Sequence, residues 1–141
     1  MDEHISRWMQ HISQSRPELG GMPVCPYAAS SEYKIESVSG TDIDPPVQDF
    51  ELIIYKLPDE FTVDQVIDLA RRLNVSRPDM IFLPDPRDRH TDINGVSTNN
   101  GRFNLILCQP RDRLIQARAR LDVTQYYTYW DPDYLNEIMS V

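Results

Sequence analysis

Residues 50–73, FELIIYKLPDEFTVDQVIDLARRL, decide the fold. The first eight form a nearly unbroken apolar run rich in β-formers, the pattern of a central strand buried on both faces. Pro58 and Asp59 then turn the chain, and Thr62 with Gln65 has the spacing of a capping box. Val63, Val66, Ile67, Ala70 and Leu73 follow along one helical face. A strand feeding directly into an amphipathic helix is the first half of a split β-α-β unit.

Working outward, DMIFLPD (79–85) reads as a second strand stopped by Pro84 and Pro86, and RFNLILCQ (102–109) as a third. PRDRLIQARARL (110–121) reads as a helix carrying Leu114, Ile115, Ala117 and Leu121, with Pro110 suited to its first turn. QYYTYW (125–130) has the composition of a fourth strand, and DPDYLNEIM (131–139) that of a helix capped by Asp131. The order from residue 50 is β-α-β-β-α-β. It predicts an α+β, ferredoxin-like antiparallel sheet with both helices on one face and a C-terminal helix beyond it.

In the third strand Phe103, Leu105 and Leu107 point to one side and Asn104, Ile106 and Cys108 to the other, so both faces of the sheet are apolar and the second needs a cover. Upstream, Ile5, Trp8, Met9 and Ile12 recur at i, i+3, i+4 and i+7, which predicts a helix over residues 2–15 ended by RPELGG. EYKIESV (32–38) alternates like a half-exposed strand, and SGTDIDPPVQD (39–49) is a turn-rich linker. The expected organisation is one domain over residues 1–141, with 1–49 as an N-terminal extension on a core of 50–141. The N-terminal helix, the CPYA segment or a second subunit would cover the second face, and this favours a homo-oligomer or a protein partner.

The chain is acidic, with net charge −8 from 14 basic and 22 acidic residues, which opposes nonspecific contact with a nucleic-acid backbone. Arg111, Arg113, Arg118 and Arg120 nevertheless cluster. No apolar run is long enough to span a membrane, and MDEHISRWMQHI lacks the basic-then-apolar build of a signal peptide. With two cysteines there is no disulfide framework or thiolate metal site, and the expected compartment is the cytoplasm. No metal or cofactor is implied.

Three features in order carry a resemblance. Trp8 lies in a helix leading to Val24-Cys25-Pro26-Tyr27-Ala28, ELIIYKLP runs on to VDQVIDLARRL, and Thr98-Asn99-Asn100 precedes the strand and helix of RFNLILCQPRDRLIQARARL. This resembles an uncharacterised bacterial family known only as a domain of unknown function. Where that family has His-Pro-Asp-Tyr, this chain has LPDPRDRH, and a proline linker stands in place of its helix before the apolar strand. The resemblance implies that Cys25 and the STNNG turn are two halves of one site.

Cys25 is a candidate catalytic thiol, since CPY echoes a redox motif, but Ala28 stands where a resolving cysteine would be. The competing reading is a packed small hydrophobe. The long polar loop 87–102 offers His90, Asn99, Asn100 and Arg102 for a small polar or anionic ligand. Its competing reading is a surface turn. His4 and His11, seven apart, share a helix face without a suitably spaced carboxylate, and His90 with Asp88 and Asp92 makes only a partial ligand set. The functional expectation is a small binding or interaction protein. The alternatives are a cysteine-dependent enzyme or redox accessory using Cys25, and a structural component of a larger assembly.

Overall fold

The computed structural model describes residues 2–46, 50–122, 124 and 126–140. Helix α1 (Glu3–Ser13) starts at Asp2, whose side chain accepts from the His4 and Ile5 backbone N–H groups. The helix ends at Ser13, ahead of the glycine pair; Gly20 and Gly21, at φ 66° and 86°, instead fold the chain back after a 3-10 turn (Pro17–Leu19), so that Arg16 N–H donates to Met22 C=O at 3.1 Å. A single-turn helix α2 (Pro26–Ala29) leads to strand β1 (Tyr33–Ser37).

Strand β2 (Leu52–Lys56) and helix α3 (Val63–Ser76) follow, the latter with its capping box closed in both directions: Thr62 N–H to Gln65 Oε1 at 2.8 Å, and Gln65 N–H to Thr62 Oγ1 at 3.2 Å. Strand β3 (Met80–Asp85) runs through Pro84, tolerated because β3 is an edge strand. A hairpin, β4 (Asp92–Ile93) and β5 (Val96–Ser97), interrupts the chain before strand β6 (Leu105–Pro110). Helices α4 (Arg111–Asp122) and α5 (Pro132–Met139), the latter capped by Asp131, flank a 3-10 turn (Tyr126–Tyr129).

The main sheet is mixed, ordered β1-β2-β6-β3. Strands β2 and β3 each pair antiparallel with β6, which separates the two strands of the β2-α3-β3 unit, while β1 runs parallel to β2. The expected fourth strand at 125–130 is a correction: Tyr126–Tyr129 is a 3-10 turn. The sheet position beside β2 is already filled by β1. Tyr126, Tyr127 and Trp130 pack edge-to-face on one another instead, with ring centroids 4.8–5.6 Å apart. Strand propensity measures fit to a pleated half-buried surface, and the place beside β2 that the expected topology gave to this segment is taken.

Both sheet faces are apolar and both are covered within the chain. On one, Leu52, Ile54, Leu105 and Leu107 pack with Ile5, Trp8, Met9 and Ile12 of α1. On the other, Ile53, Tyr55, Ile106 and Cys108 pack with Val66, Leu69, Ala70 and Leu73 of α3, and Ile43 and Phe50 join them. The two main helices therefore do not share a face: Leu114, Ala117 and Leu121 of α4 border the same cavity as Trp8 and Ile12 of α1. Among the described residues no helix is long and apolar enough to cross a membrane.

Candidate functional site

The 87–102 loop is folded. Asn94 and Gly95 both take positive φ, 49° and 86°, as a tight hairpin turn of the primed kind requires, and Asp92 Oδ2 accepts from Gly95 N–H at 2.8 Å. Ile93 and Val96 on its two strands are buried in the α1-side core. Beneath the hairpin lies Asp85, 4% exposed, whose carboxylate accepts three hydrogen bonds: Asn99 Nδ2 at 2.6 Å, Asn100 Nδ2 at 2.6 Å and Asn100 N–H at 3.1 Å. Burial pushes the Asp85 carboxyl above the usual range, opposed by these donors and by the charge of Arg89. Asn104, fully buried, accepts from Arg87 N–H at 2.9 Å and donates to Pro58 C=O and Phe61 C=O at 3.1 and 3.0 Å, tying the loop's start to the β2–α3 turn.

Helix α1 holds the far side. His4 Nε2 meets Asn100 C=O at 2.9 Å, Trp8 Nε1–H donates to Thr98 C=O at 3.2 Å, and His11 Nε2 meets Ser97 C=O at 2.8 Å. His11 Nδ1 receives Arg16 Nη2 at 2.6 Å, which leaves Nε2 to carry the proton that reaches Ser97. His4 and His11 thus share a face, and they use it to grip loop carbonyls. The i, i+4, i+7 spacing of His4, Trp8 and His11 carries the signal for this contact, which loop composition alone does not.

The expected site residues separate. Cys25, Thr98 and Asn99 line one half-enclosed cavity of about 140 Å³ between α1, α4 and residues 126–138. Asn100 is consumed by Asp85 and by its own turn, where Oδ1 accepts from Arg102 N–H at 3.0 Å and Phe103 N–H at 2.7 Å. Arg102 is exposed, its guanidinium 5.3 Å from the Phe103 ring centroid. His90 is exposed as well; Asp88 pairs with Arg87 at 3.7 Å, and Asp92 is spent on the hairpin turn. Among the described residues no group of three His, Cys, Asp or Glu side chains is arranged around a metal position.

The cavity's other walls are Arg118 of α4, which the sequence shows only as one of four clustered arginines, and the cluster Tyr126, Tyr127, Trp130 and Tyr134, which it offers as strand and helix residues. Trp130 stacks on Tyr134 at 5.2 Å between centroids, and the Tyr126 hydroxyl donates to Val24 C=O, which fastens the C-terminal segment to the residue before Cys25. Cys25 itself occupies the N-cap position of α2, with its N–H donating to Ile12 C=O at 2.8 Å. Burial pushes its thiol above the ordinary range, opposed by the Ala28 and Tyr27 N–H groups and by the charge of Arg118. Cys108, in the α3-side core, is pushed up to about 12 by burial. No protein-family model, curated protein or solved structure matches the chain.

Proposed function

We propose that this chain is a small-molecule binding protein whose site is the aromatic cavity bounded by Trp8, Cys25, Asn99, Arg118, Tyr126 and Trp130. One observation carries the reading: a cavity of about 140 Å³, mostly apolar, walled by aromatic rings that hydrogen bonds and stacking hold in place. An apolar cavity of similar size, about 150 Å³, takes up benzene. The 87–102 loop contributes through Thr98 and Asn99 on the inner wall, since the loop's other amides are engaged within the protein. In the same spirit we read β2-α3-β3-β6 as a ferredoxin-like core in which β1 stands in the fourth strand's place. The β2-β6-β3 order supports this reading.

Toluene is a suitable first probe. At ten times its Kd it should raise stability by about 1.4 kcal/mol, a shift in Tm of roughly 3–6 °C for a domain of this size. Ala117→Leu on the α4 wall should fill the space and abolish the shift. No saturable shift, or an equal one in both proteins, would sink the reading.

The cysteine-enzyme alternative makes the opposite demand on Cys25. The thiolate is the nucleophile, so a raised pKa leaves less of it at neutral pH. With Cys108→Ser removing the second thiol, the rate of Cys25 alkylation should titrate with a midpoint above the ordinary thiol value of about 8.5. A midpoint below that value would move catalysis to the front.

A further inference from the structure

We infer that the cavity selects a small carboxylic acid, a benzene-sized apolar body with a single carboxylate met by the Arg118 guanidinium and the Trp130 indole N–H. The inference rests on the cavity being a binding site and names what that site recognises. Among the described residues, two groups on its wall lack a counterpart of matching strength. Arg118, half-buried, donates from Nη2 to Ile138 C=O at 3.3 Å, and none of the carboxylates whose side chains the structure describes stands within ion-pair distance of it. Other arginines in this acidic chain are paired: Arg77 with Asp44 and Asp79, Arg72 with Asp68, and Arg89 with Glu137 at 2.6 Å.

The electrostatic consequence is visible in a comparison. The hydrogen bond that Arg77 donates to the Asp79 carboxylate pushes the Arg77 pKa up, whereas burial pulls that of Arg118 down. A guanidinium taken out of water without a counter-charge is costly, and an anion offsets that cost. Trp130 Nε1–H is also buried with no acceptor among the described residues, whereas Trp8 Nε1–H reaches Thr98. A buried donor of this kind calls for an acceptor.

The donor set fixes the class of anion. One guanidinium and one indole N–H match the two oxygens of a carboxylate and leave a phosphate dianion under-coordinated. Asp85 also borders the cavity, but its oxygens are occupied by Asn99 and Asn100. The remaining wall is chiefly aliphatic and aromatic, which suits the body of such an acid.

Calorimetry of the full chain with benzoate, benzyl alcohol and toluene tests this directly. Benzoate should bind about 10- to 100-fold more tightly than benzyl alcohol, the range of a charge-assisted hydrogen bond in a partly buried site. Arg118→Gln should bring that ratio to about one, and Trp130→Phe should lower it by roughly threefold or more while keeping the ring. Benzoate no tighter than benzyl alcohol, with toluene still bound, overturns the carboxylate inference alone. None of the three binding overturns both the inference and the cavity reading. If Arg118→Gln does not fold, the wild-type ratio and Trp130→Phe decide the matter.

Discussion

Trp8→Ala should destabilise the fold by about 3–5 kcal/mol, the usual range for deleting a buried tryptophan. Trp8 is 7% exposed and packs in the core formed by Leu52, Ile54, Leu105 and Leu107, so truncation opens a void where α1 meets the sheet. It also removes the indole donor to Thr98 C=O at 3.2 Å, the middle of the three contacts by which α1 holds the 97–100 segment. Trp8→Phe keeps most of the apolar area and should lose roughly 1–2 kcal/mol. Urea unfolding compares the two variants, and hydrogen exchange separates the effects: amides of residues 91–100 should lose more protection than those of α3, which lies on the opposite face. A loss below about 1 kcal/mol for Trp8→Ala would mean that α1 is a dispensable appendage. A domain of marginal stability, ~5–15 kcal/mol in all, cannot treat the expected loss lightly.

The same helix shows why much of the fold is legible in sequence. Ile5, Trp8, Met9 and Ile12 recur with the helical period, and the structure buries all four on the apolar sheet face that needed a cover. A second subunit is therefore not required for that purpose. The β2–α3 unit was equally readable, because the apolar run and the Thr62–Gln65 capping box point to the same answer. QYYTYW misled because a strand signal states only that side chains would suit a sheet. It does not say whether the place beside β2 remains free to receive them, and β1 fills it.

The candidate site was half legible for a related reason. Cys25 and the Thr98–Asn99 pair stand out by motif and do line one cavity. Arg118 and Trp130 do not: the first looks like one more basic residue on a polar helix, and the second belonged to the misread strand. Asn104 did carry a signal, as an amide on the same side of its strand as Ile106 and Cys108. The structure shows why that position is polar, with its three side-chain hydrogen bonds going to backbone groups of flanking turns.

Asp85→Ala should cost about 2–4 kcal/mol and loosen the whole 87–102 segment. The substitution strands Asn99 Nδ2, Asn100 Nδ2 and Asn100 N–H, three donors that now converge on one carboxylate. The effect spreads, because Asn99 Oδ1 also accepts from Thr91 N–H at 2.6 Å and Thr91 Oγ1 at 2.9 Å, and Asn100 organises Arg102 and Phe103. Asp85→Asn does not repair the network: every neighbouring contact is a donor, so the new amide NH₂ faces donors, and we expect a loss of about 1–3 kcal/mol. The pH dependence gives a separate check. Burial raises the folded-state pKa of Asp85, so the folded chain holds this proton more tightly than the unfolded chain does. The stability that protonation of this group contributes is present in full below the unfolded value of about 3.9 and is lost as pH rises through the folded value. The wild-type advantage over Asp85→Ala should accordingly be larger near pH 4 than near pH 7, as measured by paired unfolding curves. An advantage that grows towards neutral pH would show instead that the Asn99 and Asn100 donors outweigh burial and hold the carboxylate ionised. Toluene titration of Asp85→Ala then joins the loop to the cavity: with Thr98 and Asn99 released from the inner wall, its affinity should fall even where the chain remains folded.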